Sequence, residues 1–175
     1  MTQMLTQEFF DRNTLIVAEE LIGKYLVKIV DGKPIAHRIT EVEAYDGPDD
    51  LASHARAGLT ARTKIMYGKA GIIYVYFVYG MHNMLNIVTG PKGYPAAILI
   101  RGVESISGPG KVAKALNITR DHNGMRLSKE SGLWIEEREN KISKRKIQKT
   151  PRIGINYAGD IWKNKLYRFV LNEEK

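Results

Sequence analysis

At 175 residues and 43% apolar content, the chain can bury a core but is short for two, so a disordered polymer is excluded and one domain over residues 1–175 is expected. The lack of cysteine excludes disulfides and thiolate zinc sites, and no apolar run reaches membrane-spanning length, so no membrane partner is expected. The net charge of +8 is uneven: residues 1–100 carry ten basic against ten acidic side chains, and residues 101–175 carry seventeen against nine, a surplus that suits a polyanion or simply a solvated basic surface.

Residues 1–11 lack a basic segment followed by a long apolar stretch, so no secretory signal is read and a cytoplasmic location is expected. Asn13 or Thr14 can cap a helix in which Leu15, Ala18 and Ile22 recur at helical spacing, with Gly23 placed to end it. Residues 25–30 alternate as a strand, Asp31-Gly32 is a hairpin signal, and residues 35–45 read as the returning strand. Residues 46–70 have little periodicity and read as a long loop with about one helical turn, a length that usually signals function or mobility. Residues 72–79 form the strongest strand, rich in Ile, Val, Tyr and Phe. After a turn at residues 90–93, residues 96–103 form another strand, and Gly108-Pro109-Gly110-Lys111 precedes a helix towards Leu116. Residues 138–152 read as a basic loop, with late strands at 153–157 and 167–171. The order predicts an α+β fold, a mainly antiparallel curved sheet flanked by helices, with no internal repeat.

Chemistry-bearing residues concentrate in two places. If residues 35–45 are extended, Ile35, His37, Ile39, Glu41, Glu43 and Tyr45 share one face. Two carboxylates on such a face are either an exposed edge or a paired, buried site, and pattern alone favours the edge. Tyr74 and Tyr76 share a face of the next strand, while Tyr79, on the other face before Gly80, stands where a turn projects a ring outward. His54 is alone in its loop, without a neighbour at ligand spacing, so no metal is expected. Gly108-Pro109-Gly110-Lys111 could offer N–H groups and an ammonium to a phosphate, or be a plain helix start. These residues alone select no reaction.

Five ordered blocks carry a resemblance. Arg38-Ile39-Thr40-Glu41-Val42-Glu43-Ala44-Tyr45, with Gly47-Pro48-Asp49-Asp50 and Ala52-Ser53-His54, is similar to the signature of the alkyladenine (3-methyladenine) DNA glycosylase family. Residues 74–82 ending at Asn86, residues 97–104, residues 108–111 and residues 152–155 resemble further blocks of that family in the same order. The resemblance spans about Leu15 to Val170, and the tract 141–149 departs from it.

The resemblance implies a monofunctional hydrolase that flips damaged purines out of double-stranded DNA and removes them without strand cleavage or cofactor. It is expected to act as a monomer. Glu43 matches the general base and Arg101 an arginine that holds the attacking water, which the backbone carbonyl of Ile153 also contacts. Tyr45, His54, Tyr74, Tyr76 and Asn86 match the base pocket; Tyr74 orients His54, and Asn86 excludes the exocyclic amine of normal guanine. Tyr79 matches the side chain that replaces the flipped nucleotide, with Met81 beside it. Gly110 and Lys111, with Lys144, Arg145 and Lys146, are the expected phosphate contacts. Family members differ in their preference among alkylated purines, hypoxanthine and ethenoadenine. The alternatives are a non-catalytic binder of distorted DNA, which has no use for Glu43 and Arg101, and a hydrolase of free nucleosides, which has no use for Tyr79.

Overall fold

A computed structural model describes residues 2–139 and 142–172; Lys141 of the basic tract lies outside the described residues. A two-residue strand, β1 (Gln3–Met4), and a single helical turn, α1 (Gln7–Phe10), lead into the helix α2 (Thr14–Leu21). Asn13 caps α2, its side-chain oxygen accepting from the N–H groups of Leu15 (3.0 Å) and Ile16 (3.2 Å). Gly23 follows at φ +88°, where a side chain would also run into Ile142. The hairpin of β2 (Tyr25–Val30) and β3 (Lys33–Asp46) closes through Asp31 (φ +50°) and Gly32 (φ +75°), the paired positive angles that fit a twisted two-strand turn.

A second hairpin, β4 (Ile73–Val78) and β5 (His82–Val88), is followed by β6 (Ala96–Val103), β7 (Ile106–Ser107) and the helix α3 (Pro109–Ala115). The chain then forms β8 (Leu133–Glu137), β9 (Ile147–Thr150), a short helix α4 (Gly159–Lys163) and β10 (Arg168–Leu171). The main sheet runs β1-β8-β2-β3-β6-β5-β4, every pairing antiparallel, and β10 and β9 extend it from the edge of β3 beyond β2. This is the α+β class that the element order predicted.

One face of the sheet holds the main core. Val17, Ala18 and Leu21 of α2 and Val112, Ala113 and Leu116 of α3 pack there against Ile39, Val42, Ala44, Ile98 and Ile100. Each fully buried aliphatic side chain contributes about 1.5–3 kcal/mol. The opposite face carries a smaller cluster around Ala55, Met66, Tyr74, Val88 and Ala97.

Four local expectations are corrected. Residues 153–157 are not a strand: Gly154 (φ +75°) and Gly159 (φ +77°) turn the chain, and a 3-10 turn forms at Asn156–Ala158. The tract 138–152 is not all loop, because Ile147–Thr150 pairs with β10. The strands β5 and β8 were not anticipated; β5 carries Asn83 and Asn86 and is held by pairing on both sides. The alternation along β3 also breaks. Ile39 and Val42 both face the main core, because Thr40 is an extra residue opposite Val103 and Gly102, and Arg101 is an extra residue opposite Glu41 and Val42. Two such bulges compensate each other in register and re-aim the side chains between them.

Candidate active site

Register places the site. Glu43 of β3 stands opposite Leu99 of β6, Leu99 opposite Asn86 of β5, and Asn86 opposite Tyr74 of β4. Directly opposed residues share a face, so this row sets Glu43 and Asn86 on the side away from the main core. One step along, Tyr45 pairs with Ala97, and Tyr76 lies two residues from Tyr74 on the same face. The loop between β3 and β4 closes over them with two 3-10 turns, His54–Ala57 and Thr63–Tyr67. The result is a narrow pocket lined by Tyr45, Ala52, Ser53, His54, Met66, Tyr74, Tyr76, Asn86, Ala97 and Tyr157.

Glu43 is wholly buried, yet its carboxylate is well supplied with donors. The N–H of Ile153 donates to Oε1 at 2.7 Å, the Tyr45 hydroxyl donates to Oε2 at 2.8 Å, and Arg101 Nε lies 3.5 Å from Oε1. Burial pushes the Glu43 carboxyl above the ordinary carboxylate range, opposed by the Arg101 charge and then by the Ile153 and Tyr45 bonds. Each carboxylate oxygen accepts more than one bond, so both keep capacity for a water. Arg101, the bulged residue of β6, donates at 2.8 Å to Glu41 Oε1, which also accepts from Arg168 at 2.7 Å. Those two guanidinium groups outweigh burial and hold the Glu41 carboxyl below its usual range. Glu41 is therefore the counter-ion that fixes Arg101 beside Glu43.

Ile153 meets the site through its N–H, bonded to the carboxylate itself. Its neighbour Arg152 is buried with Asp50 in a bidentate pair (2.6 and 2.9 Å), with both side chains fully buried. Arg152 also donates to the Ala44 carbonyl at 2.9 Å and lies 4.8 Å from the Tyr45 ring centroid. Asp50 in turn accepts from the N–H groups of Asp46 and Ala52, each at 3.0 Å. This brace ties the start of the pocket loop to residues 152–153 and sets both neutral donors of Glu43. Sequence reading missed it. The local run of acids at residues 41–50 was the available signal, but its burial depends on an arginine about a hundred residues away.

The aromatic wall is mutually braced. His54 Nδ1 is 3.0 Å from the Tyr74 hydroxyl, and its ring stands edge-on to Tyr76 with centroids 4.6 Å apart. Burial, and then the Arg62 and Arg56 charges, push the His54 pKa down to about 4, so the ring is neutral near pH 7. Asn86 spends its amide N–H groups on the carbonyls of Tyr74 and Met84, both at 3.2 Å, which leaves its oxygen as the group not so engaged. Tyr157, also not anticipated, reaches the pocket with its hydroxyl donating to the Ala52 carbonyl at 3.0 Å.

Tyr79 and Gly80 turn the β4–β5 hairpin with φ +53° and +66°. A tyrosine in that left-handed region costs on the order of 1 kcal/mol, yet its ring is 90% exposed, and Met81 beside it is 67% exposed. Gly110 packs so closely on His82 that a side chain there would approach the imidazole to 2.8 Å, which brings Lys111 near this hairpin. Lys144, Arg145 and Lys146 form an exposed 3-10 turn elsewhere, where Lys144 borders a hollow shared with Glu19, Glu20 and Glu137. The structure does not bring those three to the pocket. Among the described residues, no three His, Asp or Glu side chains gather as a metal site, and no helix is long and apolar enough to cross a membrane.

Comparison with known proteins identifies the family. The family model of methylpurine-DNA glycosylase matches residues 8–108 and 103–175. A protein of Methanocella arvoryzae, provisionally named 3-methyladenine DNA glycosylase, is 42% identical over 177 residues, covering 90% of this chain and 87% of its own. A protein of the same provisional name from Sodalis glossinidius is 44% identical over 173 residues, covering 95% of each chain. Another, from Legionella pneumophila strain Corby, is 42% identical over 176 residues, covering 97% of this chain and 94% of its own. With the family model matched along nearly its whole length and relatives above 40% identity covered almost end to end, this chain belongs to the methylpurine-DNA glycosylase family.

Proposed function

We propose that the chain excises alkylated purines such as 3-methyladenine from double-stranded DNA by hydrolysing the N-glycosidic bond; its relatives are provisionally named 3-methyladenine DNA glycosylases. The observation that carries the reading is Glu43: a fully buried carboxylate, held by two neutral donors and one guanidinium, and bonded to Tyr45, one of the aromatic rings that wall the pocket. Alkylation at N3 or N7 makes the purine a cation, which stacks well on electron-rich rings. Water attacks C1′ of the deoxyribose and Glu43 accepts its proton. The C1′–N9 bond breaks with its electron pair going to the base, which leaves neutral, so no strong acid is required. Arg101, anchored by Glu41, balances the Glu43 charge and holds the water.

Tyr45, His54 and Tyr76 hold the extruded base, and Asn86 rejects the exocyclic amine of guanine. Tyr79, with Met81, enters the duplex where the nucleotide leaves; its exposed ring on a strained turn suits that wedge role. Lys111 contacts a phosphate near the wedge, and the triplet Lys144, Arg145 and Lys146 adds longer-range attraction to the polyanion. The pocket lining contains no lysine, which supports hydrolysis without an imine and hence without strand cleavage. The protein acts as a monomer and needs no cofactor.

The test is incubation with duplex bearing 3-methyladenine, 7-methylguanine, hypoxanthine or ethenoadenine, with release of free base and strand integrity both measured. Release from an alkylated duplex with intact strands supports the reading. Tight binding without release would establish a non-catalytic binder, and equal turnover of the free nucleoside would establish a nucleoside hydrolase.

A further inference from the structure

Charge around the pocket is balanced at depth and unbalanced at the rim. Glu41, Glu43 and Asp50 face Arg101, Arg168 and Arg152, three carboxylates against three guanidinium groups. Arg56 and Arg62 lie outside that balance. Both are exposed, and among the described residues neither pairs with a carboxylate. Each is nevertheless fixed over an aromatic ring of the pocket wall: Arg62 lies 5.1 Å from the Tyr76 centroid and Arg56 lies 4.8 Å from the Tyr157 centroid. Arg56 also donates to the Leu51 carbonyl at 3.0 Å, and Arg62 approaches His54 Nε2 at 3.5 Å.

The loop between them is built rather than loose. The Thr63 hydroxyl donates to the Gly58 carbonyl at 2.7 Å and accepts from the Thr60 N–H at 2.8 Å, while Thr63 N–H donates to the Thr60 hydroxyl at 3.1 Å. Gly58 supplies the turn at φ +73°. Two guanidinium groups are thus preset at the mouth of a pocket that, on the proposed function, receives a cationic base. Two uncompensated cations would oppose that entry unless an anion came with it. An extruded nucleotide carries one on each side.

We infer that Arg56 and Arg62 form a phosphate lip, binding the phosphodiesters that flank the extruded nucleotide and thereby cancelling the repulsion between the rim and the cationic base. The inference rests on the proposed function of the pocket. Guanidinium suits the task, because its planar fork pairs two donors with a phosphate while its face stays on the ring. The lip also ties base binding to the polymer: a free alkylated nucleoside meets the two cations without the anions that offset them.

The test uses the full chain and a duplex carrying a tetrahydrofuran abasic analogue, whose two flanking phosphates are either natural or neutral methylphosphonates. Affinity is measured across a salt series for wild type and for the double variant Arg56→Ala/Arg62→Ala; both side chains are exposed, so the fold is retained. On natural DNA the double variant is expected to lower the slope of log K against log salt by about 1.8, near 0.9 per phosphate contact. Methylphosphonates are expected to weaken wild type by about tenfold or more and the double variant by less than about twofold, because each change removes the same contact. A wild type indifferent to the methylphosphonates, or a double variant as sensitive as wild type, overturns the lip. Base release by wild type from methylated duplex is read separately. Its absence defeats the glycosylase reading, while the affinity cycle still reports on the arginines.

Discussion

Replacing Asp50 with alanine removes the acceptor of four bonds at once: two from Arg152 at 2.6 and 2.9 Å and two from backbone N–H groups at 3.0 Å. Arg152 keeps its charge with its side chain wholly buried, and among the described residues only the Ala44 carbonyl remains to accept from it. Breaking a buried pair from one side costs about 3–5 kcal/mol, a large share of the 5–15 kcal/mol that holds a domain together. With an m-value of about 2 kcal/mol/M, the urea midpoint should fall by about 1.5–2.5 M. The control is Glu104→Ala, whose half-exposed partner contact with Arg38 at 3.2 Å predicts a loss of about 0–1 kcal/mol. Because the brace sets both Tyr45 and Ile153, excision by Asp50→Ala should fall even at temperatures where the variant is fully folded. A midpoint shift no larger than that of the control would refute the brace, and full excision by the folded variant would refute its link to Glu43.

Further outcomes follow from the same contacts. Excision should appear as pH rises through the Glu43 carboxyl, at a pH above the ordinary carboxylate range because burial disfavours its charge. Tyr45→Phe removes a bond that favours the ionised form, so the acid limb of the excision profile moves to still higher pH; an unmoved limb would remove Glu43 as the titrating base. The raised pKa also sets a stability trend. The contribution of Glu43 is fully present below its unfolded pKa and is lost as pH rises through its folded one, so Glu43→Gln should be at least as stable as wild type near pH 7, with the difference closing in acid. Thermal melts across pH check this, and a variant less stable at pH 7 would contradict it. Tyr79→Ala keeps the β-carbon and with it the cost of the left-handed backbone, and it exposes no core, so stability should hold while affinity for lesion duplex falls more than affinity for undamaged duplex; equal losses would argue against a wedge.

How much of this was legible beforehand depended on the range of the interactions. The α2 cap, the Asp31-Gly32 turn and the β4 strand are local signals, written within a few residues of one another. The β5 strand was not legible because Asn83 and Asn86 depress its propensity, and pairing with β4 and β6 overrides it. The face carrying Glu43 was only half read. Alternation put Ile39 beside Glu43, but the Thr40 and Arg101 bulges, which exist only once β3 and β6 are paired, send Ile39 to the main core. Pattern favoured an exposed edge for Glu41 and Glu43 because their partners Arg101, Arg168 and Ile153 lie roughly 60–130 residues away. The resemblance supplied what short-range physics could not. The structure then gave Glu41 an anchoring role and revealed Asp50, Arg152 and Tyr157.

Glu43 is the proposed base that activates water. The direct measurement is single-turnover excision of 3-methyladenine from duplex DNA by Glu43→Gln at saturating enzyme, paired with its affinity for the abasic-analogue duplex. Glutamine can still accept the Ile153 N–H but cannot take a proton from water. The predicted result is an affinity within about threefold of wild type and a rate lower by at least about a hundredfold, the scale of general-base catalysis. Excision within about tenfold of wild type, with binding intact, would contradict the account and direct the search for the base to Glu41.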